Sequence, residues 1–208
     1  MTFDTLQFRP AQASDFEAAV PLIYSSGPIA FDYVFAGKKG NAEVFLHYAF
    51  QDGAGEFGYR NHVVGTIDGK VVCAGAGFTG ATGLSFPLSA VRQIFSFYGL
   101  FSAPGVIRRG LAIEEVIKPP SGKLYYIAHL GVAPELRGQG IGTQLVNHLL
   151  LPEFTDGSST AALDVAVTNP RAEALYERMG FTVTKLCESK LANQYGTVAD
   201  LRRMEKQL

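Results

Sequence analysis

The sequence predicts an α+β domain, and three stretches of it carry the prediction. His62 to Ile67 and Lys70 to Phe78 are two strand-like runs joined by Asp68-Gly69, the signature of an antiparallel hairpin. Leu124 to Leu130 is an extended apolar run that passes through a glycine-rich turn into a helical pattern, with Ile141, Leu145, Val146, Leu149 and Leu150 at helical spacing. Leu163, Val165 and Val167 alternate as in a strand and are followed by a second helix that Gly180 closes. With 208 residues, the chain is long enough for one generous domain, 1–208, with a helical insertion at about 80–122.

The remaining elements follow in chain order. Leu6 to Pro10 reads as a short strand. Ser14-Asp15-Phe16-Glu17 has the pattern of a capping box, starting a helix that runs to about Tyr24. Asn41 is placed to cap a further helix containing Val44, Phe45 and Tyr48, which ends at Asp52-Gly53. After the hairpin come two amphipathic stretches, Leu88 to Tyr98 and Val106 to Ile117, separated by a break from Gly99 to Gly105. They read as a helical hairpin, and Phe86, Phe95, Phe97 and Phe101 give it more aromatic surface than solvated helices need. Extra core, a lid over a binding site and a dimer contact all account for that surplus. Val198 to Leu208 closes the chain as a terminal strand.

Composition narrows the function. Nineteen acidic and 18 basic residues leave a net charge of −1 with no long basic run, which argues against nucleic acid as a partner. Arg108-Arg109 and Arg202-Arg203 are isolated pairs. The apolar tract from Leu84 to Phe101 is interrupted by Pro87 and Arg92, so no membrane span is expected. Met1 to Asp4 lacks the zones of a signal peptide, and a cytoplasmic protein is expected. Hydrophobic residues at 47% supply ample core, so Cys73 and Cys187 read as small apolar residues rather than a disulfide or metal site.

The chemistry lies in Val132-Ala133-Pro134-Glu135-Leu136-Arg137-Gly138-Gln139-Gly140-Ile141-Gly142. Alternating glycines at a helix start expose backbone N–H groups that have no partner within the helix. The helix dipole adds to them, and together they favour phosphate oxygens. The spacing G-x-G-x-G is neither the dinucleotide G-x-G-x-x-G nor a nucleoside-triphosphate loop ending in Gly-Lys-Ser/Thr. An ordinary strand–turn–helix is the plainer reading of three glycines alone.

The arrangement V-x-P…R-G-x-G-x-G resembles the acyl-CoA pyrophosphate loop of the GCN5-related N-acetyltransferases (GNAT family). Leu163 to Phe181, with N-x-x-A-x-x-L-Y-x-x-x-G-F, resembles the second cofactor motif of the same family, in the right order and at a plausible separation. The resemblance implies a mixed, mostly antiparallel sheet flanked by helices, and acetyl-CoA as acyl donor. It assigns the pyrophosphate to the backbone from Arg137 to Thr143, through Gly138, Gln139, Gly140 and Gly142. It runs the pantetheine arm along Leu130, Gly131 and Val132, with an N–H near Leu130 on the thioester oxygen, and adds Asn169 as a pantetheine contact. In the family, the strand after the hairpin passes to the cofactor strand through a short turn, so residues 80–122 are an insertion.

Tyr176 fits the acid that protonates the departing thiolate, since a phenol near pH 10 stays protonated beside a thiol near 8.5. It also lies on one helical face with Ala172, Leu175 and Met179, as a core tyrosine would. The base is less evident: Leu124, Tyr126 and Ala128 stand where relatives place a Glu. His129 titrates in a useful range, but strict alternation turns it away from the Tyr126 face unless the strand carries a bulge. Asp164 stands where some relatives have a base, and equally reads as a solvated strand residue. Asp32, Tyr33, Glu43 and His47 are candidates to line the acceptor pocket. The acceptor implied is a small-molecule amine or a peptide N-terminus. The scarcity of a base leans toward an α-amine near pKa 8 rather than a lysine-type amine near about 10.4. An acyl-CoA sensor without catalysis and transfer of a longer acyl group are the competing readings, and a homodimer is allowed without being required.

Overall fold

The computed structural model describes residues 6–80 and 85–208, so residues 81–84 at the start of the expected insertion lie outside the described residues. Seven strands form one sheet in the order β1-β2-β3-β4-β5-β9-β6. These are β1 (Gln7–Pro10), β2 (His62–Ile67), β3 (Lys70–Thr79), β4 (Leu124–Val132), β5 (Thr160–Ala166), β6 (Thr182–Cys187) and β9 (Leu201–Gln207). Every neighbouring pair is antiparallel except β4 with β5. Strands β7 (Ala192–Asn193) and β8 (Gly196–Thr197) pair separately.

Side-chain alternation divides the core between the two faces of this sheet. On one face Tyr125, Ile127, Leu163, Val165 and Met204 pack with Leu145, Val146 and Leu149 of α5 (Ile141–Leu149). Ala172 and Tyr176 of α7 (Pro170–Arg178), with Met179 just after it, close over the same cluster. On the other face Val64 and Ala74 meet α1 (Phe16–Ser25) and α3 (Ala42–Asp52) through Val20, Ile23, Leu46 and Phe50. Each fully buried aliphatic side chain contributes roughly 1.5–3 kcal/mol. A four-residue helix, α6 (Pro152–Thr155), links α5 to β5.

Several sequence expectations are corrected. Helix α1 is preceded by a short 3-10 turn at Ala13–Asp15, so the box shifts upstream: the Asp15 carboxylate accepts from the Gln12 N–H at 2.7 Å rather than Ser14 pairing with Glu17. Arg9 holds that carboxylate on its other side, 2.7 Å away. Helix α2 (Pro28–Phe35) was not expected; Pro28 starts it, and Tyr33, Val34 and Phe35 bury it. Asn41 precedes α3, but its side chain does not cap it. The Asp32 carboxylate accepts from the Ala42 N–H at 2.8 Å instead, and its second oxygen accepts from the Tyr24 hydroxyl at 2.8 Å.

The insertion is helical, in two arms merged as α4 (Ser85–Ile113). The break is one residue, Gly99 at φ 75°, rather than the stretch to Gly105, and the second arm begins earlier and ends earlier than read. Its buried residues Ile94, Ala103 and Val106 pack on α2 and α3, so the arms are chiefly core. Leu100 and Phe101 stand exposed at the bend. The terminal strand starts at Leu201 rather than Val198, and β5 starts at Thr160, three residues before the alternation that announced it. Both cysteines are buried and free. No helix among the described residues is long and apolar enough to cross a membrane.

Candidate active site

Strands β4 and β5 run side by side only from Leu124 to Tyr126, opposite Thr160 to Ala162. Beyond that point β5 stays with β9 through Ala166 while β4 stays with β3 to Val132. The two strands therefore part, and the β4 backbone from Ile127 to Val132 faces a gap where a parallel partner would lie. The start of α5 sits at the end of this strand.

A bulge against β3 lies within this unpaired stretch of β4. Ala74 pairs with Gly131 and Ala76 with Ala128, so the single residue Gly75 opposes both His129 and Leu130. His129 takes up the extra length with a left-handed φ of 58°. Leu130 and Val132 then face α5 with Tyr125 and Ile127, while His129 turns to the opposite face, where its ring meets Phe31, Phe57 and Phe78. The reversal that alternation alone denied to His129 is thus present.

His129 is buried, and its ring stacks on that of His62, with centroids 5.3 Å apart and planes inclined by 13°. The contact reaches from β2 to β4 across β3: His62 registers with Ala76, and Ala76 with Ala128, so a small side chain leaves room for the rings above it. His62 Nδ1 lies 3.0 Å from the Gly58 carbonyl, and His62 Nε2 lies 3.1 Å from His129 Nδ1. At the other end His129 Nε2 faces Glu56 Oε1 at 3.4 Å, and the Glu56 side chain is 46% exposed. Burial, with His129 adding, pushes the His62 imidazole down to about 3. A line of groups therefore runs from solvent at Glu56 to a buried carbonyl. Sequence reading missed both Glu56, in a glycine-rich turn, and His62, a lone polar residue on an apolar strand face.

Asp164 is not solvated. Its side chain is 3% exposed; it accepts from Arg203 Nε at 2.9 Å and Nη2 at 3.1 Å, and from the Tyr126 hydroxyl at 2.8 Å. Burial and the neighbouring carboxylate push the Tyr126 phenol well above its ordinary value. Tyr176 lies on the α5–α7 face, edge-on to Phe181 at 6.2 Å, and burial pushes its phenol up to about 12. It therefore keeps its proton throughout the neutral range.

The glycine loop is open toward solvent. Gly138 and Gly140 adopt φ of 79° and 82°, and a Cβ added to either would meet nothing within 4 Å. Gly140 precedes the first turn of α5, whose leading N–H groups have no partner within the helix. The donors needed for a phosphate are thus in place, and the space before them is free. Arg137 is exposed and turns its Nε back to the Val132 carbonyl at 3.0 Å. Gly131 has a separate reason to be glycine, because a Cβ there would run into the Leu22 carbonyl of α1. Asn169 caps α7, its Oδ1 accepting from the Ala172 N–H at 3.2 Å.

The other candidates divide. Asp32 is committed to the α3 cap and Tyr33 is buried among the helices. His47 packs edge-on to Phe16 at 5.5 Å, and the charge of Glu43 acts on the Tyr24 phenol. No grouping of three His, Cys, Asp or Glu able to hold a metal occurs among the described residues.

Comparison with known proteins supplies the context. Residues 38–181 match the family model described as acetyltransferase (GNAT) family. A segment is 38% identical over 79 residues to the "5-NmdU N-acetyltransferase" of Pseudomonas phage PaMx11, covering 38% of this chain and 52% of that protein. Another is 41% identical over 56 residues to "N-alpha-acetyltransferase 30" of Schizosaccharomyces pombe, covering 27% of this chain and 37% of that one. The chain thus spans about half or less of the length of these relatives. Over nearly its whole length the fold matches the crystal structure of an N-acetyltransferase from Staphylococcus aureus (TM-score 0.66, 18% identity, 96% of this chain and 100% of that one). It also matches that of a protein described only as an acetyltransferase (TM-score 0.63, 20% identity, 97% and 98%).

Proposed function

The chain belongs to the acetyltransferase (GNAT) family, and from that premise we propose that it transfers an acetyl group from acetyl-CoA to a primary amine by direct attack in a ternary complex. The observation that carries this reading is the gap between β4 and β5 with the uncapped start of α5 at its end. One element offers phosphate donors, and the other offers a free strand edge on which an extended amide chain can lie.

Acetyl-CoA supplies the thioester. The N–H groups from Arg137 to Thr143 hold the pyrophosphate, Gln139 and Gly142 among them, with Gly138 and Gly140 giving the backbone clearance. The strand edge from Leu130 through Gly131 to Val132 aligns the pantetheine arm, Asn169 contacts it, and the N–H near Leu130 donates to the thioester oxygen. His129 Nε2 takes a proton from the amine as its nitrogen bonds to the carbonyl carbon and the carbon–sulfur bond breaks. Tyr176 gives its phenolic proton to the departing sulfur. Glu56 passes the first proton to solvent, and solvent returns one to Tyr176. Asp164 takes no part, because Arg203 and Tyr126 already occupy its carboxylate.

Donor-side and acceptor-side groups lie on opposite faces of the sheet, so the reacting atoms meet in the gap. The acceptor side is aromatic: Phe31, Phe57 and Phe78 surround the His129 ring, and Phe86 stacks edge-on to Phe78. Asp32 and Asp164 are committed within the protein, which leaves Glu56 as the carboxylate beside His129. This suits a small amine or a peptide N-terminus with an apolar flank better than a polycation.

The test is acetyl-CoA-dependent thiol release with pooled acceptors: amino acids, arylalkylamines, short peptides, polyamines and aminoglycosides. Release with arylalkylamines or apolar peptides, above the background without acceptor, is expected. Silence from every pool despite measured acetyl-CoA binding would overturn transfer in favour of a binding-only role.

A further inference from the structure

His62 touches neither donor nor acceptor in the scheme above, yet it is buried and hydrogen-bonded at both ring nitrogens. We propose that His62 is a positioning residue that locks His129 in the tautomer whose free lone pair lies on Nε2, the nitrogen facing Glu56. The proposal rests on the reading of His129 as the base.

Hydrogen-bond bookkeeping leaves one assignment. A carbonyl oxygen only accepts, so the His62 nitrogen 3.0 Å from the Gly58 oxygen must carry a proton. With no counter-charge in contact, the buried ring is held neutral, and its lone pair must then lie on Nε2. That nitrogen is 3.1 Å from His129 Nδ1, so His129 donates from Nδ1. Neutral His129 therefore has its lone pair on Nε2. Both rings adopt the Nδ1–H form, the minor one for a histidine side chain free in water. Without the His62 acceptor, His129 would favour the Nε2–H form and present a donor where a base is needed.

The surroundings agree. Around His129 stand Glu56 and Phe57 from the turn before β2, His62 from β2, Phe31 from α2 and Phe78 from β3. The rings offer no competing acceptor for the Nδ1 proton. Glu56 Oε1, at 3.4 Å, is too far for a strong hydrogen bond to Nε2, which leaves that nitrogen able to reach a substrate amine.

Long-range proton–nitrogen NMR of the ¹⁵N-labelled histidine rings, at about pH 9 where free imidazole is neutral, reads the tautomers directly. The expected spectrum has both His62 and His129 protonated on Nδ1. In His62→Gln the amide oxygen can still accept from His129 and the amide nitrogen can still donate to Gly58, so the His129 pattern and kcat should stay within a few-fold of the parent. In His62→Leu the His129 signals should move to the Nε2–H pattern. With them kcat should fall about tenfold or more, while KM for acetyl-CoA holds within about twofold. An Nε2–H pattern for His129 in the parent protein would overturn the proposal, and so would a folded His62→Leu with unchanged spectrum and kcat. If His62→Leu fails to fold, the parent spectrum and His62→Gln decide. His129→Gln separates the two readings: unchanged kcat there removes His129 as base, whereas a fall of about 10²-fold or more beside a silent His62→Leu removes only the role of His62.

Discussion

At the scale of single residues, the two carboxyl and phenol groups that the motifs singled out have divergent fates. Asp164 sits between Arg203 and Tyr126 with its side chain 3% exposed, so removing its charge leaves a buried guanidinium unpaired. Asp164→Asn should cost about 3–5 kcal/mol in urea unfolding, while kcat of the folded fraction changes little. A large loss of kcat in a stable variant would return Asp164 to catalysis. Tyr176→Phe should do the reverse. Its phenol, pushed up to about 12, stays a proton donor, and losing it should lower kcat by about 10²-fold with acetyl-CoA affinity held. Unchanged turnover would make Tyr176 a packing residue. The sequence named both residues but could separate neither from its alternative. Arg203, which decides for Asp164, lies 39 positions away and pairs with it only through the β5–β9 register.

At the scale of elements, local chemistry was legible and long-range geometry was not. The turn at Asp68-Gly69, the cap at Asn169 and the glycine-started α5 all depend on contacts within a few residues, and the sequence reveals all three. Helix α2 is not legible in the sequence because its eight residues are too short to display a clear period, although Pro28 marks its start. The cap of α3 is not the one its own sequence suggests, because Asp32, ten residues before Ala42, reaches it from a neighbouring helix. The bulge that turns His129 has no marker in the β4 sequence, since the extra residue is defined only against Gly75 of β3. Where sequence and structure coincide, the consequence is testable. Gly140 combines a left-handed φ of 82° with open space, so Gly140→Glu should fold with a backbone penalty of about 1–2 kcal/mol. Its carboxylate would then project to the phosphate position. Calorimetry should find acetyl-CoA affinity reduced by two orders of magnitude or more, about 2.7 kcal/mol. Unchanged affinity would remove the phosphate role from this loop.

At the scale of the whole molecule, the sheet separates two functions and lends its stability to both. The buried His62 links that stability to pH. Its folded-state value of about 3, against an ordinary 6.5, means that the unfolded chain binds the proton first as pH falls. The contribution is complete above about 6.5 and is lost progressively toward 3, at no more than about 1.4 kcal/mol per pH unit. Urea midpoints measured between pH 7 and 5 should decline accordingly, and His62→Gln should flatten the slope. An identical slope in the variant would assign the acid sensitivity elsewhere. The division into faces reaches further than stability. The glycine loop, α5 and α7 serve one side of the sheet, while α1 to α4 serve the other, and the strands between them, which send alternate side chains to each, are what the two sides chiefly share. Selection can therefore rewrite one side without disturbing the other. A library that varies Phe31, Phe57, Phe78 and Phe86 would search acceptor preference as an independent coordinate, with the donor machinery inherited intact.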